Sequence, residues 1–179
     1  MQLKSDLRQI YLSIRQNILN RESKDNLICD KVFSMPQVLK AKRVLCYVSI
    51  GSEVNTIHLI NKLLTKKITV DIPVFYQGIM FGKNVNTTNE LKYFSPNSQE
   101  LCSNVLSNYD CVITPLVAFD ENKNRLGRGG GYYDKYFLNA NKNMLKIGIA
   151  YEEQFSSQIL AIETHDQKLD IIVTNRRIL

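Results

Sequence analysis

Five short apolar runs, rich in β-branched residues, constrain this chain more than any other feature: VLCYVSI (44–50), ITVDIPV (68–74), DCVITPLVAF (110–119), KIGIA (146–150) and DIIVT (170–174). Runs of this length with few polar interruptions suit strands covered on both faces, the condition of a parallel sheet. The third run should end as a strand near Pro115, and IMF (79–81) is a candidate for a further short strand.

Helical patterns lie between these runs. Leu3, Leu7, Ile10, Ile14 and Ile18 recur every three or four residues, which predicts an amphipathic helix over 3–19. Lys4 and Arg8, four apart, share a neighbouring face of it. A second helix is expected over 24–34, stopped near Pro36. A third, capped by Asn55 or Thr56, should run through Leu64 after the Gly51-Ser52 turn, and a fourth should span about 131–140. Residues 83–100 read as polar loop. Alternating strands and helices give an α/β fold with a mostly parallel sheet flanked by helices. The 179 residues fit a single domain, and neither an internal repeat nor a linker interrupts them. Ligands of such folds bind beyond the carboxyl ends of the strands, which points to 49–55, 74–80, 115–134 and 151 as the rim of a site.

Four cysteines (Cys29, Cys46, Cys102, Cys111) form no C-x-x-C pair, and two histidines are too few to complete a zinc cluster. Cys46 and Cys111 sit inside apolar runs, where a free thiol behaves as a small buried hydrophobe. A reducing, cytoplasmic compartment is the expectation. The N-terminal MQLKSDLRQI carries an acid and lacks the apolar segment of a signal peptide. No run of 18 apolar residues predicts a membrane span. The net charge of +6 fits three things: a basic soluble surface, a polyanionic small substrate, or nucleic acid. Charge alone does not choose among them.

The chemistry concentrates in Arg125-Leu126-Gly127-Arg128-Gly129-Gly130-Gly131-Tyr132-Tyr133-Asp134, which holds four of the eight glycines. Glycine permits positive φ and close approach of a ligand to the main chain. Successive N–H groups can then converge on an anion, helped by the N-terminus of the following helix. Arg125 and Arg128 add fork-like donors suited to phosphate, and Asp134 offers a hard oxygen for Mg²⁺ beside it. Taken alone, the segment also fits a flexible loop with two solvated arginines. It is not a Walker A motif, and it lies too far from its strand for a dinucleotide fingerprint.

Phe119-Asp120 followed by Asn124-Arg125-Leu126-Gly127-x-Gly129-x-Gly131-Tyr132-Tyr133-Asp134 resembles the signature of the 5-formyltetrahydrofolate cyclo-ligase family. The similarity runs over about residues 3–174 and includes Lys4 with Leu7-Arg8, Tyr47 through Glu53 to Thr56, Ile72-Pro73-Val74, Gly148 to Tyr151 with Gln154, and His165-Asp166 with Leu169-Asp170. Asn55 departs from it, since many members carry an acid there. The resemblance implies a fold similar to the sugar-phosphate isomerase and CoA-transferase group. It also implies a reaction using ATP and Mg²⁺ to close 5-formyltetrahydrofolate into 5,10-methenyltetrahydrofolate, with ADP and phosphate released. The substrate's own formyl oxygen attacks the γ-phosphate, so no Ser/His or Cys/His pair is required.

Residue by residue, the resemblance implies ATP contacts from Lys4, Ser5, Asp6, Leu7 and Arg8 and from Arg125 through Tyr133 (Arg125, Leu126, Gly127, Arg128, Gly129, Gly130, Gly131, Tyr132, Tyr133). Folate contacts fall on Val48, Glu53, Arg128, Gly129, Gly130, Gly131 and Tyr132, and magnesium ligands on Asp134 and Asp166. Arg128 is the expected catalytic residue, stabilising the transferring phosphoryl group. Met80, Tyr132 and Tyr151 are candidate walls, His165 a neighbour of the metal site, and His58 a helix-surface residue. The partners implied are these small molecules, not nucleic acid or membrane, with the protein a monomer. Two other readings compete: an α/β enzyme using ATP or a phosphate ester on a different substrate, and a nucleic-acid-binding module, which the charge alone favours.

Overall fold

The computed structural model describes residues 4–92, 94–95 and 108–179. Leu3 and Cys102 lie outside the described residues. A six-stranded sheet forms the centre: β1 (Arg43–Cys46), β2 (Thr69–Tyr76), β3 (Ile79–Val85), β4 (Cys111–Pro115), β7 (Leu145–Ile149) and β8 (Ile171–Val173). A two-stranded ladder, β5 (Ala118–Phe119) with β6 (Arg125–Leu126), stands beside it. The sheet order is β3-β2-β1-β4-β7-β8, and every pairing is parallel except β2 with β3. The expected α/β class is therefore the observed one.

Strand alternation divides the core. Val44 and Cys46 face one side with Val70, Ile72, Ile113 and Ile147, beneath helices α2 (Arg21–Ser34) and α4 (Ile57–Thr65). Leu45, Val112 and Ile172 face the other side, packed with Phe119, Phe137 and Met144 around α5 (Tyr132–Asn139). Burial on both faces is the reason these runs carry few polar residues.

Several expectations need correction. Pro36 does not merely stop α2; it begins a four-residue helix, α3 (Pro36–Leu39), where its missing N–H costs nothing. Part of the supposed loop at 83–100 belongs to β3. Val85 pairs with Val70 across a hairpin, and Asn84 donates to Asp71 at 3.0 Å, so partners on β2 support a polar stretch. The largest change concerns α1 (Lys4–Gln16). Ile10 and Ile14 are exposed, and the inward stripe runs through the half-buried Leu7 and Tyr11 to the buried Arg15, with Ile18 buried just beyond the helix. Leu7 and Tyr11 pack on Ala118, Leu126 and Leu160, so α1 lies across the small ladder rather than on the main sheet.

The chain leaves β1 toward β2 on one side and later returns on the other with β4. The order therefore reverses between β1 and β4, where their carboxyl ends splay and leave a crevice.

Candidate active site

A cleft of about 500 Å³ opens at that crevice. The segment after β1, the end of β4, β6, the glycine-rich loop and the start of α1 line it. Its size is ordinary for a small-molecule site.

At one end stands the turn that follows β1. Thr56 Oγ1 donates to the Tyr47 carbonyl at 2.6 Å, and Tyr47 Oη donates to the Val54 carbonyl at 2.9 Å, both buried. These bonds close the segment 47–56 on itself and bring Glu53 back over the strand end. Thr56 holds the N-cap position of α4 without a side-chain cap bond, its hydroxyl being taken by Tyr47, and Asn55 Oδ1, one residue earlier, accepts from Ile57 N–H at 3.0 Å. Glu53 is buried yet lines the cleft. Its Oε2 accepts from Ile50 N–H at 2.9 Å, and its Oε1 accepts from Arg128 Nε at 2.9 Å. The Arg128 side chain is half exposed, with Nη2 donating to the Ile50 carbonyl at 3.1 Å.

The glycine-rich loop crosses the middle of the cleft. Gly129 (φ +102°) and Gly131 (φ +64°) occupy the left-handed region, which a side chain at either position would strain. Gly131 precedes α5 directly, so the helix N-terminus opens toward the loop. Arg8 Nε donates to the Gly127 carbonyl at 2.9 Å, tying α1 to the loop. The Tyr132 ring packs on Phe75 with centroids 4.5 Å apart. The Tyr133 hydroxyl is buried without a hydrogen-bond partner among the described residues, and burial pushes its phenol upward.

The far end holds two carboxylates. Arg125, itself nearly buried, donates from Nη2 to Asp134 Oδ1 at 2.7 Å and from Nη1 to the Gln167 carbonyl. Gln167 N–H donates to the same Asp134 oxygen at 3.0 Å, which sets Asp134 beside the neighbour of Gln167 in the chain, Asp166. Asp166 Oδ2 accepts from Lys4 Nζ at 2.6 Å, and Lys4 also pairs with Glu163 at 2.9 Å. Partial burial works against the Lys4 ammonium, but its bonds to Asp166 and Glu163 prevail and raise it. Burial likewise pushes Asp166 upward, yet Lys4 outweighs this and holds it below the usual carboxylate range. Asp134 Oδ2 and Asp166 Oδ1 accept no hydrogen bond from the described residues. Two hard oxygens free at the edge of an anion cradle fit Mg²⁺, which takes one or two protein carboxylates beside substrate phosphates.

The structure thus gathers Lys4, Arg8, Val48, Glu53 and the whole segment Arg125–Asp134 with Asp166 around one cleft. Ser5 and Asp6 are exposed and do not line it, and Leu7 packs away on Leu126. Met80 and Tyr151 are not walls. Met80 is buried in the core on the α5 side, and the Tyr151 hydroxyl turns inward to Asp25 at 2.6 Å. His165 stands exposed beside Asp166 and Glu163, as expected, and His58 pairs with Asp30 on the surface. Sequence reasoning missed Arg15, Tyr47, Phe75 and Glu163. The spacing of Lys4, Arg8 and Arg15 on one helical face is the signal that could have found Arg15.

Comparison with known proteins bears on the family and the fold. The model of the 5-formyltetrahydrofolate cyclo-ligase family matches residues 1–175. The chain is 30% identical to the 5-formyltetrahydrofolate cyclo-ligase of Mycoplasma genitalium, over 96% of this chain and 98% of that one. It is 32% identical to the Escherichia coli K12 protein of the same name, over 83% and 86%. Among solved structures, a 5,10-methenyltetrahydrofolate synthetase from Mycoplasma pneumoniae superposes with a TM-score of 0.75 at 28% identity, covering 97% of this chain and 99% of that chain. The Aquifex aeolicus protein of that name gives 0.78 at 26% identity, covering 99% and 92%.

Proposed function

The chain belongs to the 5-formyltetrahydrofolate cyclo-ligase family, and from that premise we propose that it converts 5-formyltetrahydrofolate and ATP into 5,10-methenyltetrahydrofolate, ADP and phosphate. The observation that carries this reading is the pairing, in one cleft, of a glycine and arginine cradle edged by two carboxylates with a buried Glu53 at the opposite end.

Each half suits one substrate. The phosphates of ATP suit the backbone N–H groups of Gly127 to Gly131 and the charges of Lys4, Arg8 and Arg125. Asp134 and Asp166 would hold Mg²⁺, which when bound neutralises phosphate charge. At the other end, Glu53 accepts two parallel hydrogen bonds from the amino group and ring N–H of a pterin, while Tyr132, Phe75 and Val48 give apolar wall. The formyl oxygen then attacks the γ-phosphorus as ADP leaves, giving an imidate phosphate. The second folate nitrogen adds to the imidate carbon, and phosphate departs with the formyl oxygen, carrying off the proton that this nitrogen loses. The protein's work is to align the two substrates and to place Arg128 against the transferring oxygens. The buried, unpaired thiols of Cys29, Cys46 and Cys111 support a reducing, cytoplasmic compartment.

The test mixes pure protein with ATP, Mg²⁺ and 5-formyltetrahydrofolate and follows near-ultraviolet absorbance of the methenyl product. The reading requires product formation that stops in excess chelator. ATP turnover indifferent to 5-formyltetrahydrofolate would instead point to a different substrate on the same cradle.

A further inference from the structure

Arg15 is a buried charge that the scheme above leaves without a role. Its side chain, on α1, lines the cleft, and the residue is 2% exposed. Nε donates to Ser52 Oγ at 3.0 Å, and Nη1 to the Leu116 carbonyl at the end of β4 at 3.1 Å. Arg43, Arg125, Arg128 and Arg177 each pair with a carboxylate; Arg15 has none within ion-pair distance among the described residues. Burial bears on it most, and of the surrounding charges the attraction of Glu53 is felt first, opposed by Arg128 and Arg21.

Burying a guanidinium without an ion partner is costly. The fold does not need Arg15 to satisfy Leu116, whose carbonyl also accepts from Gln154 Nε2 at 2.8 Å. What Arg15 reaches that no other side chain among the described residues does is Ser52, the residue before Glu53. Around that pair the cations divide their tasks. Arg21 Nη2 holds the Glu53 carbonyl at 3.0 Å, and Arg128 holds the carboxylate. Arg128 has a side chain 50% exposed against 4% for Glu53, so it is the partner that a ligand can displace. Arg15, enclosed between α1 and β4, cannot leave.

We infer that Arg15 is a positioning residue for the folate half of the cleft: it fixes Ser52, and through it the 50–53 turn that aims Glu53, and it stays in place when Arg128 turns to the ligand. This rests on the folate reading of the site. A consequence separates it from an ordinary structural strut. Replacing Arg15 by an apolar side chain of similar length removes an unpaired buried charge, so the fold should lose nothing, while Glu53 loses its fixed support.

Arg15→Met and Ser52→Ala, compared with wild type by thermal melting and by separate titrations with 5-formyltetrahydrofolate and Mg·ATP, decide it. Arg15→Met should weaken folate binding about ten- to hundredfold, the range for losing a hydrogen-bonded charged group, with ATP binding held within about twofold and melting temperature equal or higher. Ser52→Ala should shift folate binding in the same direction by less, and it serves as the test if Arg15→Met does not fold. Folate affinity unchanged in Ser52→Ala, folate affinity unchanged in a folded Arg15→Met, or folate and ATP affinities falling together would each overturn the assignment. Wild type keeps the two readings apart. If it binds no 5-formyltetrahydrofolate, the functional reading falls; if it binds and Arg15→Met binds equally, only the role of Arg15 falls.

Discussion

Glu53→Gln tests the folate end of the cleft with the least steric change. In the wild type each carboxylate oxygen has one partner, Ile50 N–H on Oε2 and Arg128 Nε on Oε1, both at 2.9 Å. Glutamine keeps one acceptor oxygen and presents an NH₂ group where the other stood. The local contact to Ile50 is the harder to give up, because that N–H lies in the same turn. The amide nitrogen therefore faces Arg128, which turns out to solvent. The fold loses one half-exposed ion pair, about 1 kcal/mol or less. At about 2–4 °C per kcal/mol for a chain of this size, the melting temperature should drop by no more than about 4 °C. A pterin fares worse, since it meets a donor where it needs an acceptor and loses the charge as well. Losing a charge-assisted hydrogen bond costs about 1.5–3 kcal/mol, or about ten- to hundredfold in affinity. Mg·ATP binds at the other end and should be unaffected. Calorimetric titration of each ligand into wild type and variant supplies both numbers. If ATP affinity falls while folate affinity holds, Glu53 is not the folate ligand. If both fall together with a loss of more than about 8 °C, its role is to hold the 50–53 turn.

Three further outcomes are expected. Arg128→Lys should lower turnover at saturating substrates by about 10²–10³, because an ammonium does not match the spread charge of a transferring phosphoryl group, whereas the enclosed Arg125→Lys should chiefly weaken ATP binding; wild-type turnover in Arg128→Lys would make Arg128 a binding residue only. Burial raises Asp25 above its ordinary 3.8, against the hydrogen bond from Tyr151. The folded chain then holds a proton that the unfolded chain has released, so stability from this group falls as pH rises from 3.8 through the higher folded value. The melting temperature of wild type relative to Asp25→Asn should fall across that window, and a flat difference would contradict the assignment. Burial pushes the thiols of Cys29 and Cys111 to about 12 and that of Cys46 well above its usual value. Iodoacetamide at pH 8, mapped by mass spectrometry, should therefore label none of the three in native protein and all three in urea, since only the thiolate reacts.

The sequence by itself determined the class of fold and the location of the chemistry. Strands buried on both faces must be apolar throughout, and that requirement is visible residue by residue in VLCYVSI or KIGIA. A loop that needs positive φ must carry glycine, so Gly129 and Gly131 mark the cradle without any knowledge of what lies opposite. What the sequence left open depended on contacts between distant segments. The pairing of Val85 with Val70 turned a polar stretch into strand, and the packing of α1 on Leu126 rotated its inward face from Ile10 and Ile14 to Tyr11 and Arg15. Met80 and Tyr151 read as walls because their segments reach the rim, but strand alternation and the hydrogen bond to Asp25 turned both inward. Tertiary structure alone joined Arg128 to Glu53, 75 residues apart, and Lys4 to Asp166, 162 residues apart. The reversal of strand order between β1 and β4 is what brings those segments to one crevice, and such a reversal arises from how the sheet assembles, so no local pattern of residues encodes it.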